Sequence, residues 1–222
     1  MTSALDLLPH HQALLSASAL RDEIAGTRGY RSIGRAEARE LGFTPAQASP
    51  GLLVPLWNVW GDSAGCQLRP DEPRLGRDSK PIKYETPRGQ HNILDVLPTM
   101  RDRVRSPREA IFVTEGARKA DALASLGIPA INLAGVWSWR GTNERGGRTA
   151  LPDWNDINIA GSIFVLAFDL DILTKPSVHA ALRGLRAYLL ARKALAVRVL
   201  VLPLGPWNGL DDFIAARKEV PA

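Results

Sequence analysis

Ala110-Ile111-Phe112-Val113-Thr114-Glu115-Gly116 and, farther along, Ser162-Ile163-Phe164-Val165-Leu166-Ala167-Phe168-Asp169-Leu170-Asp171 decide the fold of this 222-residue chain. Each is a short apolar run without charge, the pattern of a strand covered on both faces. Each stops at acid. In open α/β sheets ligands gather outside the carboxyl ends of the strands, so if the two strands are neighbours, Glu115 meets Asp169 and Asp171 there. Asp169 and Asp171, two apart in an extended segment, point to the same side. Three carboxylates converging on one point repel unless a cation holds them, and hard oxygen donors suit Mg²⁺ or Mn²⁺.

Helical and extended patterns alternate around these runs. A helix carrying Arg118 and Lys119 is expected to about residue 126, where Gly127-Ile128-Pro129 breaks it, and residues 130–133 form a strand. Residues 135–148 read as a long loop containing Trp137 and Trp139, and loops of that length in compact domains are often functional. Residues 157–159 are a short strand or a turn. Residues 178–190 have the clearest helical periodicity, with Ala181, Leu182, Leu185 and Leu189 on one face. A strand over 196–202 and a closing helix over 210–216 complete the alternation. The expected fold is α/β, a mainly parallel sheet covered by helices on both faces through right-handed crossovers.

The first hundred residues read differently. Residues 14–24 are loosely helical and stopped by Gly26 and Gly29, and a second helix runs from 35 to 41 with Gly42 ending it. A strand over 52–60 and another over 66–70 make a β-hairpin, with Pro55 marking an edge position or a bulge. A polar stretch follows in which Arg74, Arg77, Lys80 and Lys83 are available to phosphates, beside a Tyr84 that either stacks on a base or packs in a strand. The boundary falls near Ser106-Pro107. It separates a basic α+β region over 1–107, a candidate nucleic-acid binder, from the α/β domain over 108–222.

Composition narrows the partners. With 28 Lys and Arg against 23 Asp and Glu, the net charge is +5 and favours a polyanion. Hydrophobic content of 45% supports an ordinary core, and no apolar stretch approaches the roughly 18 residues of a membrane span. The single Cys66 forms no internal disulfide, and with no secretion-type leader a cytoplasmic location is expected. His10, His11, His91 and His179 show no metal-ligand spacing, and there is no phosphate-binding loop of the Gly-x-x-x-x-Gly-Lys-Ser/Thr type.

The ordered set Thr114-Glu115-Gly116, Lys119-Ala120-Asp121, Gly135-Val136-Trp137, Asp169-Leu170-Asp171 and Leu210-Asp211-Asp212-Phe213 resembles the Toprim domain of bacterial replicative primases, topoisomerases and some nucleases. It is most similar to a Toprim-like family in plasmid and phage replication proteins, over roughly residues 108–218. The resemblance implies that Glu115, Asp169 and Asp171 hold one or two Mg²⁺ (or Mn²⁺) ions for nucleotidyl or phosphoryl transfer, with Glu115 also a general base. Gly116 lets a phosphate approach, Lys119 reaches a phosphate oxygen, and Arg118 is a secondary candidate. Asp211 either contributes to a second metal or caps a helix. Trp137 and Trp139 either clamp a base or pack in the core. Lys175 stands in a segment, Ile172-Leu173-Thr174-Lys175-Pro176, that departs from the primase pattern, and serves phosphate or caps a turn.

These readings imply a Mg-dependent nucleic-acid enzyme of a mobile-element replication system, most simply a primase-like nucleotidyltransferase. The alternatives are a metal-dependent nuclease and a noncatalytic DNA-binding accessory module. Single-stranded or duplex DNA and nucleotides are the expected partners. A helicase or replication initiator would be supplied by a separate chain.

Overall fold

The computed structural model describes residues 6–76, 78–168, 175–203, 205–207 and 209–218. The α/β part is a four-stranded sheet of β4 (Ile111–Glu115), β5 (Ala130–Leu133), β8 (Ile163–Ala167) and β9 (Ala196–Val199), in the order β5-β4-β8-β9 with every pair parallel. Between β4 and β5 runs α5 (Ala117–Ser125), and between β8 and β9 runs α6 (Pro176–Ala191). The two crossovers move in opposite lateral directions from the central pair. Right-handed connections therefore put α5 and α6 on opposite faces.

The packing follows that rule. On one face Ile111, Val113, Phe164 and Leu166 bury against Leu182, Leu185 and Leu189 of α6. On the other, Phe112, Ala130 and Ala167 meet Ala120 and Leu123 of α5 and Leu210 and Ile214 of the last helix, α7 (Leu210–Lys218). Alternation along β4 produces this division, since successive strand residues point to opposite faces.

The amino-terminal part contributes α1 (Pro9–Ala17), α2 (Asp22–Arg28), β1 (Arg31–Ile33), α3 (Arg35–Glu40), β2 (Gly51–Trp57) and β3 (Ser63–Pro70). The strands form an antiparallel sheet in the order β1-β2-β3. The expected hairpin is therefore present, and Pro55 lies at a register shift in the central strand, a bulge and not an edge. A short α4 (Arg101–Arg105) precedes β4. Two of the three hydrophobic clusters cross residue 107: Val59, Leu94 and Val96 join the α6 face, and Leu15, Tyr30 and Val54 join the α5 face, while the third, around Ile33, Phe43 and Leu68, stays within the amino-terminal part.

Some local expectations are corrected. Residues 14–24 are not one helix, because Ala19 takes a positive φ of 59° and separates α1 from α2; Gly29, at φ 84°, and not Gly26, ends the second. The long loop after β5 contains a small hairpin of β6 (Arg140–Thr142) and β7 (Arg148–Ala150). Residues 157–159 form no strand, and the last strand ends at Val199. No helix among the described residues is long and apolar enough to cross a membrane.

Candidate active site at the carboxyl end of the parallel sheet

Because the crossovers diverge from β4 and β8, these two strands flank the point where the strand order reverses. A crevice outside their carboxyl ends follows from that topology, and it is where α/β sheets bind ligands. Glu115 is the last residue of β4, half-buried, and Thr114 stands in register with Ala167, the last residue of β8. Asp169 and Asp171 follow β8 in the sequence and lie outside the described residues, as does Arg77.

Gly116 makes the turn from β4 into α5. Its φ of 98° and ψ of 129° belong to a backbone region that side chains disfavour, and it stands at the N-cap of a nine-residue helix. Free N–H groups of a helix start favour anions. Lys119, one turn in, donates from Nζ to the Glu115 carbonyl oxygen at 3.0 Å, and a Cβ added at Gly116 would lie 4.0 Å from that nitrogen. The ammonium thus lies over the glycine at the strand end. The Lys119 ammonium, the helix start and the backbone of Glu115 lie together at the end of β4.

Arg118 is committed inward. Its Nε donates to Tyr84 Oη at 3.2 Å, its Nη1 to Ser18 Oγ at 2.5 Å, and its Nη2 lies 3.8 Å from Asp211 Oδ2. Burial works against its charge, but the Tyr84 oxygen and the Asp211 carboxylate outweigh that and hold its pKa above the ordinary value. Asp211, buried on the first turn of α7, faces this guanidinium. Through Tyr84, Arg118 also ties the basic segment around Lys83 to the first turn of α5.

Of the two readings of Trp139, clamp or core, its position is that of the core. It is buried against Tyr188 and against Gly184 of α6, where an added Cβ would come 3.2 Å from its ring. Residues 136–139 form turns and are not extended, so the two-residue spacing does not give the tryptophans a common face. Trp137 remains half-exposed just beyond β5, with Arg140 Cζ 3.9 Å over its ring. Arg74 makes a two-point ion pair with the buried Glu85, at 2.6 and 3.1 Å, Lys80 lies 3.8 Å from Asp78, and Lys83 and Lys175 are exposed.

A buried charged network was not read from the sequence. Arg28 is fully buried and reaches Asp95 through Nη1 at 2.6 Å and Asp121 through Nη2 at 2.7 Å and Nε at 3.0 Å. Tyr30 Oη donates to Asp121 at 2.8 Å, Asn132 Nδ2 donates to Asp95 at 2.8 Å, and the Trp57 backbone N–H donates to Asp95 at 2.8 Å. Burial pushes the Asp121 carboxyl upward, with Arg28 pulling against it; for Arg28 burial opposes the charge, but the two carboxylates prevail and hold its pKa well above the ordinary value. Asp95 also exchanges backbone hydrogen bonds with Asn132, covering the outer edge of β5. Asp121 was visible as part of Lys-Ala-Asp, but its partners are distant in sequence.

The family model described as "Domain of unknown function (DUF3854)" matches residues 102–220, more than half of the chain. The chain belongs to the DUF3854 family. Comparison of the sequence with curated proteins gives no match. Among solved structures, this DUF3854 protein is similar to the zinc-binding and RNA polymerase domains of the Aquifex aeolicus primase, with TM-score 0.59, 14% identity, and coverage of 94% of this chain and 53% of that one. It is similar to a primase domain from Pseudomonas aeruginosa at TM-score 0.58 and 20% identity, covering 94% and 68%. It also matches a DnaG primase catalytic domain bound to single-stranded DNA, at TM-score 0.59 and 17% identity, covering 98% and 72%. The chain thus spans about half the length of the Aquifex protein. These likenesses show a shared Toprim-like fold.

Proposed function

We propose that this DUF3854 protein is a primase-like nucleotidyltransferase acting on DNA, with its reaction centre at the carboxyl ends of β4 and β8. The observation that carries the reading is the placement of Glu115 and Gly116 at the switch point of a primase-like sheet, under Lys119 and at the start of α5. The solved relatives include a primase catalytic domain bound to single-stranded DNA. That likeness supports DNA as the partner.

The proposed ligand set is Glu115, Asp169 and Asp171. Its chemistry fits a hard divalent cation, because every donor is a carboxylate oxygen and Glu115 stands at the crevice half-exposed. A bound Mg²⁺ or Mn²⁺ would neutralise phosphate charge and orient an in-line displacement. Glu115 would accept the proton of the attacking hydroxyl, Gly116 would admit a phosphate to the α5 N–H groups, and Lys119 would neutralise its oxygens. Residues 1–107, through Lys83 and its neighbours, would hold the template. A role in plasmid or phage replication belongs to this proposal as its biological setting.

The test is incorporation of labelled NTP or dNTP on single-stranded templates with Mg²⁺ or Mn²⁺, comparing the natural chain with Glu115→Gln and Asp169→Asn. Product abolished in both variants supports the polymerising site. Scission without nucleotide, lost in both variants, would make the protein a nuclease. DNA binding with neither activity would make it an accessory module.

A further inference from the structure

A second metal centre, of different chemistry, can be built from residues far from the crevice. His10 and His11 occupy the first turn of α1, and Asp71 follows the end of β3. His10 Nε2 lies 3.3 Å and His11 Nε2 2.8 Å from the same oxygen, Asp71 Oδ1, and the three ligand atoms all fall within 4.8 Å of one another. Tetrahedral ligands at about 2.0–2.1 Å from Zn²⁺ stand roughly 3.3 Å apart, so the His10–Asp71 separation already matches and the His11–Asp71 pair opens slightly to admit an ion.

The second nitrogen of His11 is already oriented. His11 Nδ1 lies 2.7 Å from Ser32 Oγ, which also accepts the Leu8 backbone N–H at 2.7 Å. A histidine whose far nitrogen is held by a neighbouring oxygen presents its near nitrogen in a fixed direction, as metal-ligating histidines do. His11 is 2% exposed, so this orientation is locked by packing. His10, with 58% of its side chain exposed, and Asp71, with 30%, leave the remaining coordination position facing solvent. The Arg69 charge acts against a cation here. Its guanidinium is drawn toward the Tyr84 ring, 5.7 Å from the centroid.

We infer that His10, His11 and Asp71 form a binding site for a borderline divalent cation of the Zn²⁺ class, with three protein ligands and one open position. Two imidazoles and one carboxylate suit Zn²⁺ and related transition ions and are poor ligands for Mg²⁺. The ion would staple α1 to the end of β3, segments 60 residues apart in sequence. Adjacent histidines on a helix carry no recognisable metal spacing by themselves; the third ligand comes from the fold.

The site is tested on the full chain, purified without a histidine tag, stripped with chelator and titrated with Zn²⁺ in excess Mg²⁺. The variants are His10→Gln, Asp71→Asn and Glu115→Gln. The natural chain and Glu115→Gln should bind one Zn²⁺ and gain thermal stability on binding. His10→Gln and Asp71→Asn should lose at least tenfold in Zn²⁺ affinity and the associated gain in Tm, while their metal-free Tm stays near that of the natural chain. Co²⁺ substituted for Zn²⁺ should give a tetrahedral visible spectrum that both variants lose. Equal Zn²⁺ binding in all four proteins, binding lost only in Glu115→Gln, or no binding by the natural chain would each overturn the assignment. Since Glu115→Gln separates the two centres, failure here leaves the reading of the crevice untouched, and the reverse also holds.

Discussion

Arg28 and Asp121, 93 residues apart in sequence, meet as a fully buried two-point ion pair with contacts of 2.7 and 3.0 Å. Asp95 shares the same guanidinium at 2.6 Å. Removing the arginine would strand two carboxylates in the interior. Breaking a buried pair in this way typically costs about 3–5 kcal/mol. Arg28→Met should lower the urea midpoint accordingly. Arg28→Lys should recover only part of the loss, because one ammonium cannot reproduce the fork.

The same pair joins α2 to α5, and so joins residues on either side of position 107. A fragment of residues 108–222 would expose the partners of Tyr30, Leu15 and Val59 in the two hydrophobic clusters that cross position 107 and leave Asp121 without Arg28. It should show no cooperative thermal transition, whereas the full chain should unfold in one. A fragment melting near the full-chain Tm would establish an independent carboxyl-terminal domain.

Gly116 offers a separate test of the crevice. Its φ of 98° is the obstacle to a side chain, since space is available and Lys119 Nζ is the nearest atom at 4.0 Å. Gly116→Ala should cost about 1–3 kcal/mol through the backbone. If the helix start receives phosphate, the variant should also lose nucleotide incorporation beyond what its folded fraction explains. Activity that simply tracks the folded fraction would remove Gly116 from phosphate binding.

His11 makes stability depend on pH. Burial is the largest influence and lowers its pKa below 6.5, helped by His10 and Arg69 and opposed by the hydrogen bond and charge of Asp71. As pH falls through 6.5 the unfolded chain takes up the proton first, so this contribution is full above 6.5 and declines below it. In chelator-treated protein the urea midpoint should fall on acidification through that window. His11→Gln should show a shallower fall there, and an unchanged slope would show that other groups set the dependence.

How much of this was legible in sequence depends on whether the deciding partner is local. β4 and β8 were readable because apolar runs that stop at acid leave few other structures, β5 because Gly127-Ile128-Pro129 breaks the helix before it, and Glu115 because it terminates β4. The α1–α2 break was not, since Ala19 at φ 59° carries none of the residue types that announce a left-handed turn. Asp121 was visible only as part of Lys119-Ala120-Asp121, because its partner Arg28 comes from another element. His10 and His11 looked like an unremarkable pair for the same reason, Asp71 being 60 residues away from His11.

If the basic segment beside α5 holds template, its contribution is electrostatic and has a characteristic salt response. Lys83 is exposed, one residue from the Tyr84 that anchors the segment to Arg118. Each phosphate neutralised on a single strand contributes about 0.7 to the slope of log affinity against log salt. Lys83→Ala should reduce that slope by about this amount without altering Tm. An unchanged slope would place the template elsewhere.

The two tryptophans after β5 should separate cleanly. Trp137 is half-exposed beside the carboxyl edge of the sheet, with one face already under Arg140 at 3.9 Å, so a base stacking on the free part of the ring would be flanked by a cation. Base–aromatic stacking is worth about 1–3 kcal/mol. Trp137→Ala should therefore weaken single-stranded DNA binding by roughly five- to 150-fold at unchanged Tm, and Trp137→Phe should restore part of it. Trp139 packs on Gly184 and Tyr188 in the interior, and Trp139→Ala should instead cost about 3–5 kcal/mol of stability. Binding by the folded fraction of Trp139→Ala should match the natural chain. Loss of binding in that folded fraction, with Trp137→Ala silent, would reverse the assignment and require the core ring to reach solvent.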